Sequence, residues 1–223
     1  MTLLLAIDTS TRMTGVALFD GEQVLAECTW RGAGYQTVEL APEIGLLLRK
    51  VDSSVDAVRA IAVASGPGSF TGLRIGMALA KGLALSGGRE LIGVPTMDIV
   101  ARSQPRLDRR LYIVIEAGRG RAAGMWYKWG RTGWESEGDI ELTAWSDLPE
   151  HLSEEAYVCG ELPVEVRKNL RKRSHLDHGT PAGCHRRPAY LAEIGWERWK
   201  KGKSAGPEEI VPIYITTALD GGG

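Results

Sequence analysis

Apolar residues open the chain as a short unbroken run, Leu3-Leu4-Leu5-Ala6-Ile7, closed by Asp8. A run of that length ending in the polar cluster Asp8-Thr9-Ser10-Thr11 predicts a strand followed by a turn. Val16 to Phe19 and Gln23 to Trp30 read as two more strands joined through Asp20-Gly21, a strong hairpin signal. Gly32 and Gly34 break the pattern. Apolar residues then recur with helical spacing at Leu40, Ile44, Leu47, Leu48 and Val51, predicting a helix over 36–51. Ala60 to Ala64 reads as a buried strand, 65–69 as a loop, and 70–86 as a helix stopped by Gly87-Gly88. Leu91 to Val94 is a further strand, and a short helix starts near Pro95-Thr96.

The pattern then restarts. Arg102, Arg106, Arg109 and Arg110 cluster around Pro105, and Leu111 to Glu116 repeats an apolar run closed by an acid. A strand over 125–129, a turn at Arg131-Thr132-Gly133, a strand over 156–159 and a helix over 189–200 follow. Two successive units of this kind predict a duplicated α/β fold, with an N-terminal domain over 1–102 and a smaller C-terminal domain over 103–223. The closing Gly221-Gly222-Gly223 reads as a frayed tail.

Composition narrows the function classes. The chain has 223 residues, 43% hydrophobic and 25% charged, so a folded form buries about 70–75% of its unfolded surface. A net charge of −1 excludes a wholly electrostatic nucleic-acid binder. Cys28, Cys159 and Cys184 are too few and too scattered for a disulfide framework, which fits a reducing compartment. The first apolar run is too short for a signal peptide and no stretch reads as a membrane span, so the expected location is cytoplasmic.

Three segments carry candidate chemistry. Asp8 at a strand end, with Ser10 in the turn behind it, suits a metal-bound nucleotide phosphate; a plain turn is the alternative. Ser65-Gly66-Pro67-Gly68-Ser69-Phe70-Thr71-Gly72 lies between a strand and a helix, where N–H groups form an anion site. It lacks the Lys-Ser/Thr of a Walker A loop and misses dinucleotide-fingerprint spacing by one residue. The alternative is a turn in which Ser69 caps the helix. That helix is apolar nearly all round, with Gly72, Gly76 and Ala80 forming a small-residue stripe at i, i+4, i+8. The stripe predicts the close approach of a partner's helix, joined by the 36–51 helix.

Further along, Arg167, Lys168, Arg171, Lys172, Arg173, Arg186 and Arg187 face only Asp177 in charge, a candidate RNA contact or a solvated helix face. His175, His178, Cys184 and His185 match no closed zinc spacing and read as loop residues, so no metal is expected. Cys28 and Cys159 fall in strand contexts and read as core residues.

The strings Leu5-Ala6-Ile7-Asp8-Thr9-Ser10-Thr11, Ser65 to Gly76 (with Gly-Pro-Gly-Ser-Phe-Thr-Gly-Leu-Arg at its centre), Ala80-Lys81-Gly82-Leu83-Ala84 and Gly93-Val94-Pro95-Thr96 resemble the bacterial TsaB (YeaZ) family. Glu116-Ala117, Cys159-Gly160 and 207–214 extend the likeness loosely. The resemblance implies an α/β fold of two RNase H-like domains of the actin/Hsp70/sugar-kinase type, the second degenerate. It implies a non-catalytic subunit, without a cofactor of its own, in formation of N6-threonylcarbamoyladenosine at position 37 of ANN-decoding tRNAs. The implied partners are a TsaD-type paralogue, a TsaE-type ATPase, tRNA through the complex, and a second copy of the chain when alone.

The interface so implied uses Leu40, Ile44, Leu47, Leu48, Gly72, Ile75, Gly76, Leu79, Ala80 and Leu83. A vestigial nucleotide site is expected at Asp8, Ser10, Gly68 and Ser69, and RNA contact at Arg167, Lys168, Arg171, Lys172 and Arg173. The family's His-Ser-Glu before the first helix stands here as Gln36-Thr37-Val38, and its Asp-Ala-Arg as Glu116-Ala117-Gly118. An ATPase of this type needs acids on both sides of its cleft, and the second would be Glu116. An independent ATPase or kinase is the alternative reading. A peptidase is a third, with no Ser-His-Asp or Cys-His arrangement to support it.

Overall fold

A computed structural model of the chain describes residues 2–32, 36–118 and 120–215. Gly34 and the closing glycines lie outside the described residues. The elements run β1 (Leu3–Asp8), β2 (Met13–Phe19), β3 (Val24–Arg31), α1 (Gln36–Lys50), β4 (Val58–Gly66), α2 (Phe70–Gly87), β5 (Glu90–Pro95) and α3 (Thr96–Arg102). They continue with β6 (Arg110–Glu116), β7 (Arg121–Trp129), β8 (Trp134–Ala144), α4 (Leu148–His151), β9 (Ala156–Gly160), α5 (Val164–Leu170), β10 (Leu176–His178) and α6 (Pro188–Lys200).

The duplication is explicit in the topology. One sheet has the order β3-β2-β1-β4-β5 and the other β10-β9-β6-β7-β8. In each, an antiparallel meander of three strands is extended by two strands parallel to its first. Strand β8 had no counterpart in the sequence reading. Its residues are mostly polar and partly exposed, so they lack the apolar alternation of a half-buried strand.

Period-two geometry sends successive residues of β1 and β4 to opposite faces. Leu3, Leu5, Ile7, Val58, Ile61 and Val63 pack with α1 and α2. Leu4, Ala6, Ala60, Ala62 and Ala64 face α6. The second face is rich in alanine, and the helix laid on it is matched to that. A Cβ on Gly195 would meet the Ala62 Cβ at 2.4 Å, so only glycine lets α6 come this close. Helix α6 follows the second sheet in sequence but packs on the first, against β1, β2, β4 and β5. Helix α3 does the converse, placing Met97, Val100 and Ala101 against Leu111, Ile113 and Ile115 of the second sheet. The exchanged helices lock the halves together. Asp98 of α3 accepts from Tyr127 Oη of β7 (2.9 Å) and from Arg198 of α6 (3.2 Å).

Among the described residues no helix is long and apolar enough to cross a membrane.

Candidate functional site

The two halves meet at the end of β1, where Asp8 is buried. The turn after it folds back on itself. Asp8 Oδ1 accepts from the Ser10 backbone N–H (2.9 Å) and from Ser10 Oγ (2.6 Å). Asp8 Oδ2 accepts from Arg186 Nε, a residue of the loop leading into α6. The same guanidinium donates through Nη1 to Glu161 Oε1 (2.7 Å) and through Nη2 to Thr11 Oγ1 (3.0 Å). Thr11 Oγ1 in turn donates to Glu161 Oε1 at 2.7 Å. The Arg186 side chain is 1% exposed. Burial alone would lower the Arg186 pKa, but the Asp8 and Glu161 carboxylates outweigh it and hold the guanidinium protonated, above its ordinary value.

Three expectations are corrected here. Arg186, counted above with the basic run, is an internal counter-ion. The second acid at the cleft is Glu161, just past β9, while Glu116 at the end of β6 is exposed. The expected nucleotide residues come together, but on one another: Ser10 is spent on Asp8, and the N–H of Ser69 donates to Ser10 O at 2.6 Å.

The small-residue stripe also faces inward. A Cβ on Gly68 would sit 2.0 Å from Ser10 O, one on Gly72 2.1 Å from Thr9 O, and one on Gly76 2.2 Å from Thr9 Oγ1. Thr9 Oγ1 donates to Gly72 O at 2.7 Å, and Ser69 Oγ caps α2 by accepting from the Gly72 N–H at 3.2 Å. Close approach is thus made, but by the β1–β2 turn of the same chain. Ala80 is buried with them.

Leu40, Ile44, Leu47 and Leu48 are likewise in the chain's own core and out of a partner's reach. Of the ten expected interface residues only Ile75, Leu79 and Leu83 reach the surface, each half-buried. A different row is exposed on the outer side of the same two helices. It comprises Val38, Ala41 and Leu46 on α1, and Ala78, Gly82 and Leu85 on α2. A Cβ on Gly82 would meet nothing within 4 Å. The helical period was read correctly, but apolar and small residues occupy both sides of α2, and sequence spacing cannot say which side faces in. The start of these helices borders a cleft of about 580 Å³ lined by Thr11, Arg12, Arg31 and Gln36. Gln36 opens α1 and ties it to the β1–β2 turn and to β2, donating to Thr11 O at 3.2 Å and to Thr14 Oγ1 at 2.8 Å.

The basic run of the second half is partly neutralised. Arg167 donates to the backbone oxygens of Leu162 and Gly179. Lys168 pairs with Glu165, Arg173 with Glu150 and Arg187 with Glu27. Arg171 and Lys172 are exposed and have no carboxylate partner among the described residues. The histidines are spread apart: His175 contacts Leu152 O, His178 contacts Gly179 O, and His185 contacts Thr29 Oγ1. Among the described residues no three His, Cys, Asp or Glu side chains converge as metal ligands.

Fold and site define the class: a duplicated α/β protein whose two halves share one sheet order and are joined over a buried arginine. The ethanolamine utilization protein EutJ of Carboxydothermus hydrogenoformans shares the architecture, with a TM-score of 0.52 and 12% identity over 87% of this chain and 91% of that one. Much nearer is YeaZ from Pseudomonas aeruginosa, with a TM-score of 0.78 and 24% identity over 96% of this chain and all of that one. The tRNA threonylcarbamoyladenosine biosynthesis protein TsaB of Escherichia coli is 34% identical over 95% of this chain and 94% of its own length. Its Bacillus subtilis namesake is 28% identical over 96% and 94%. Residues 35–139 match the family described as TsaD: tRNA N6-adenosine threonylcarbamoyltransferase. The chain belongs to the TsaB (YeaZ) family.

Proposed function

We propose that this chain is a non-catalytic scaffold subunit in the biosynthesis of tRNA threonylcarbamoyladenosine. It pairs with a TsaD-type transferase that acts at position 37 of ANN-decoding tRNAs. The observation that carries the non-catalytic reading is Arg186. An ATPase of this fold holds a metal-bound phosphate between acids of its two halves, and here a guanidinium stands between Asp8 and Glu161. A cation competes directly for the carboxylate a metal would need.

The partner surface follows from the exposed faces of α1 and α2. Ala41 and Gly45 on one helix, and Ala78 and Gly82 on the other, are small residues that let a further pair of helices approach closely. Val38, Ile75 and Leu79 supply apolar area around them. The same face accepts a second copy of the chain when the transferase is absent. A TsaE-type ATPase joins the pair, tRNA is engaged through the complex, and the work is cytoplasmic.

The test is light scattering on a size-exclusion column, with the organism's TsaD-type protein and either the wild type or Gly82→Glu. Gly82 touches nothing in its own fold, so the variant keeps its circular dichroism spectrum while presenting bulk and charge to a partner. The expected result is a 1:1 complex with the wild type and none with Gly82→Glu. Equal complex formation by both proteins overturns the assignment of the face, and magnesium-dependent ATP hydrolysis by the chain alone overturns the non-catalytic reading.

A further inference from the structure

The two buried cysteines of the second half, far apart in sequence, meet in the fold. Cys159 is the penultimate residue of β9 and Cys184 lies in the 179–187 loop ahead of α6, with their sulfurs in direct contact. All three cysteines of the chain are free thiols. The pocket is shaped for the pair. A Cβ on Gly179 would sit 2.2 Å from Cys184 Sγ and 3.5 Å from Cys159 Sγ, so glycine at 179 leaves the room the sulfurs occupy. The Arg167 guanidinium lies on the Gly179 carbonyl beside them. The turn 180–183 that precedes buried Cys184 is exposed to solvent.

We propose that Cys159 and Cys184 form a reversible dithiol–disulfide modification site, oxidised by a hydroperoxide, that fastens the 179–187 loop to the end of β9. The Cys184 thiolate attacks the peroxide O–O bond, forming S–O and releasing hydroxide or alkoxide. The Cys159 sulfur then attacks the sulfenic sulfur. The S–S bond forms, S–O breaks, and the oxygen leaves as water with the proton from Cys159. Two electrons pass from the dithiol to the peroxide, and a dithiol reductant returns them by exchange.

The environment suits Cys184 to the first step. Against the cost of burial, its contact with Cys159 and the Arg167 charge lower the Cys184 pKa below the usual thiol value. Cys159, in the same buried pair, is held above its ordinary value by that contact. The loop so fastened carries Arg186 two residues on, the cation paired with Asp8 and Glu161.

The experiment counts thiols on the full chain. Protein reduced with dithiothreitol, then denatured, takes up three maleimide–polyethylene glycol tags, one for each cysteine. After hydrogen peroxide it takes up one, on Cys28; re-reduction restores three, and peptide mapping joins 159 to 184. The closed loop raises the melting temperature by about 5–10 °C. Cys184→Ser takes up two tags before and after peroxide, with no thermal shift. Three tags after peroxide, or a crosslink through Cys28 or between chains, overturns the proposal. The wild-type count decides this even if the variant does not fold.

Discussion

Replacing Arg186 by methionine removes the positive charge between Asp8 and Glu161 while keeping an unbranched side chain of similar length. The Asp8 side chain is 3% exposed and that of Glu161 23%, so neither carboxylate is well hydrated once the guanidinium is gone. Breaking a buried pair from one side costs about 3–5 kcal/mol, because the remaining charge keeps its desolvation penalty and loses its partner. For a chain of this size that lowers the melting temperature by about 6–20 °C.

The assay is urea denaturation followed by circular dichroism, on Arg186→Met, Asp8→Asn and the double variant. If the penalty comes from the orphaned Asp8, removing its charge as well restores part of the loss. The double variant is then more stable than the sum of the singles predicts, by about 0.5–3 kcal/mol. A loss below about 1 kcal/mol for Arg186→Met, or strictly additive variants, refutes the view that this ion pair ties the halves together.

Gly76→Ala and Gly82→Ala lie six residues apart on α2 and are expected to have opposite signs. The first puts a Cβ 2.2 Å from Thr9 Oγ1 and costs about 1–3 kcal/mol in urea, whereas the second meets nothing and gains about 0.5–1 kcal/mol from helix propensity. Burial raises the Asp98 pKa above its usual 3.8, against the Tyr127 and Arg198 hydrogen bonds that lower it. The folded state therefore binds the extra proton, so this contribution is full below 3.8 and is lost as pH rises through the raised value. Urea midpoints of wild type relative to Asp98→Asn should fall across that window, and a difference that is flat or rises with pH counts against it.

The amino-acid sequence by itself determined the local elements of the first half, the hairpin at Asp20-Gly21, the restart near residue 110 and the family. Each of these is written in short-range pattern: runs, periods and turn residues that the backbone reads within a few positions. What lay beyond it was every pairing that joins distant residues. Arg186 and Asp8 are 178 positions apart, and nothing local marks that one arginine in a basic run turns inward. Thr9 and Gly72 are 63 apart, so the small residues of α2 signalled close packing without saying against what.

Helix α2 is apolar on two sides. Only the placement of the β1–β2 turn decided that Gly76 is core and Gly82 is surface. Likewise the alanine-rich face of the first sheet and Gly195 gain meaning only when α6, arriving from the other half, is laid across them. Burial and charge pairing are settled by which segments come to share a volume, and that is decided by the packing of the whole chain.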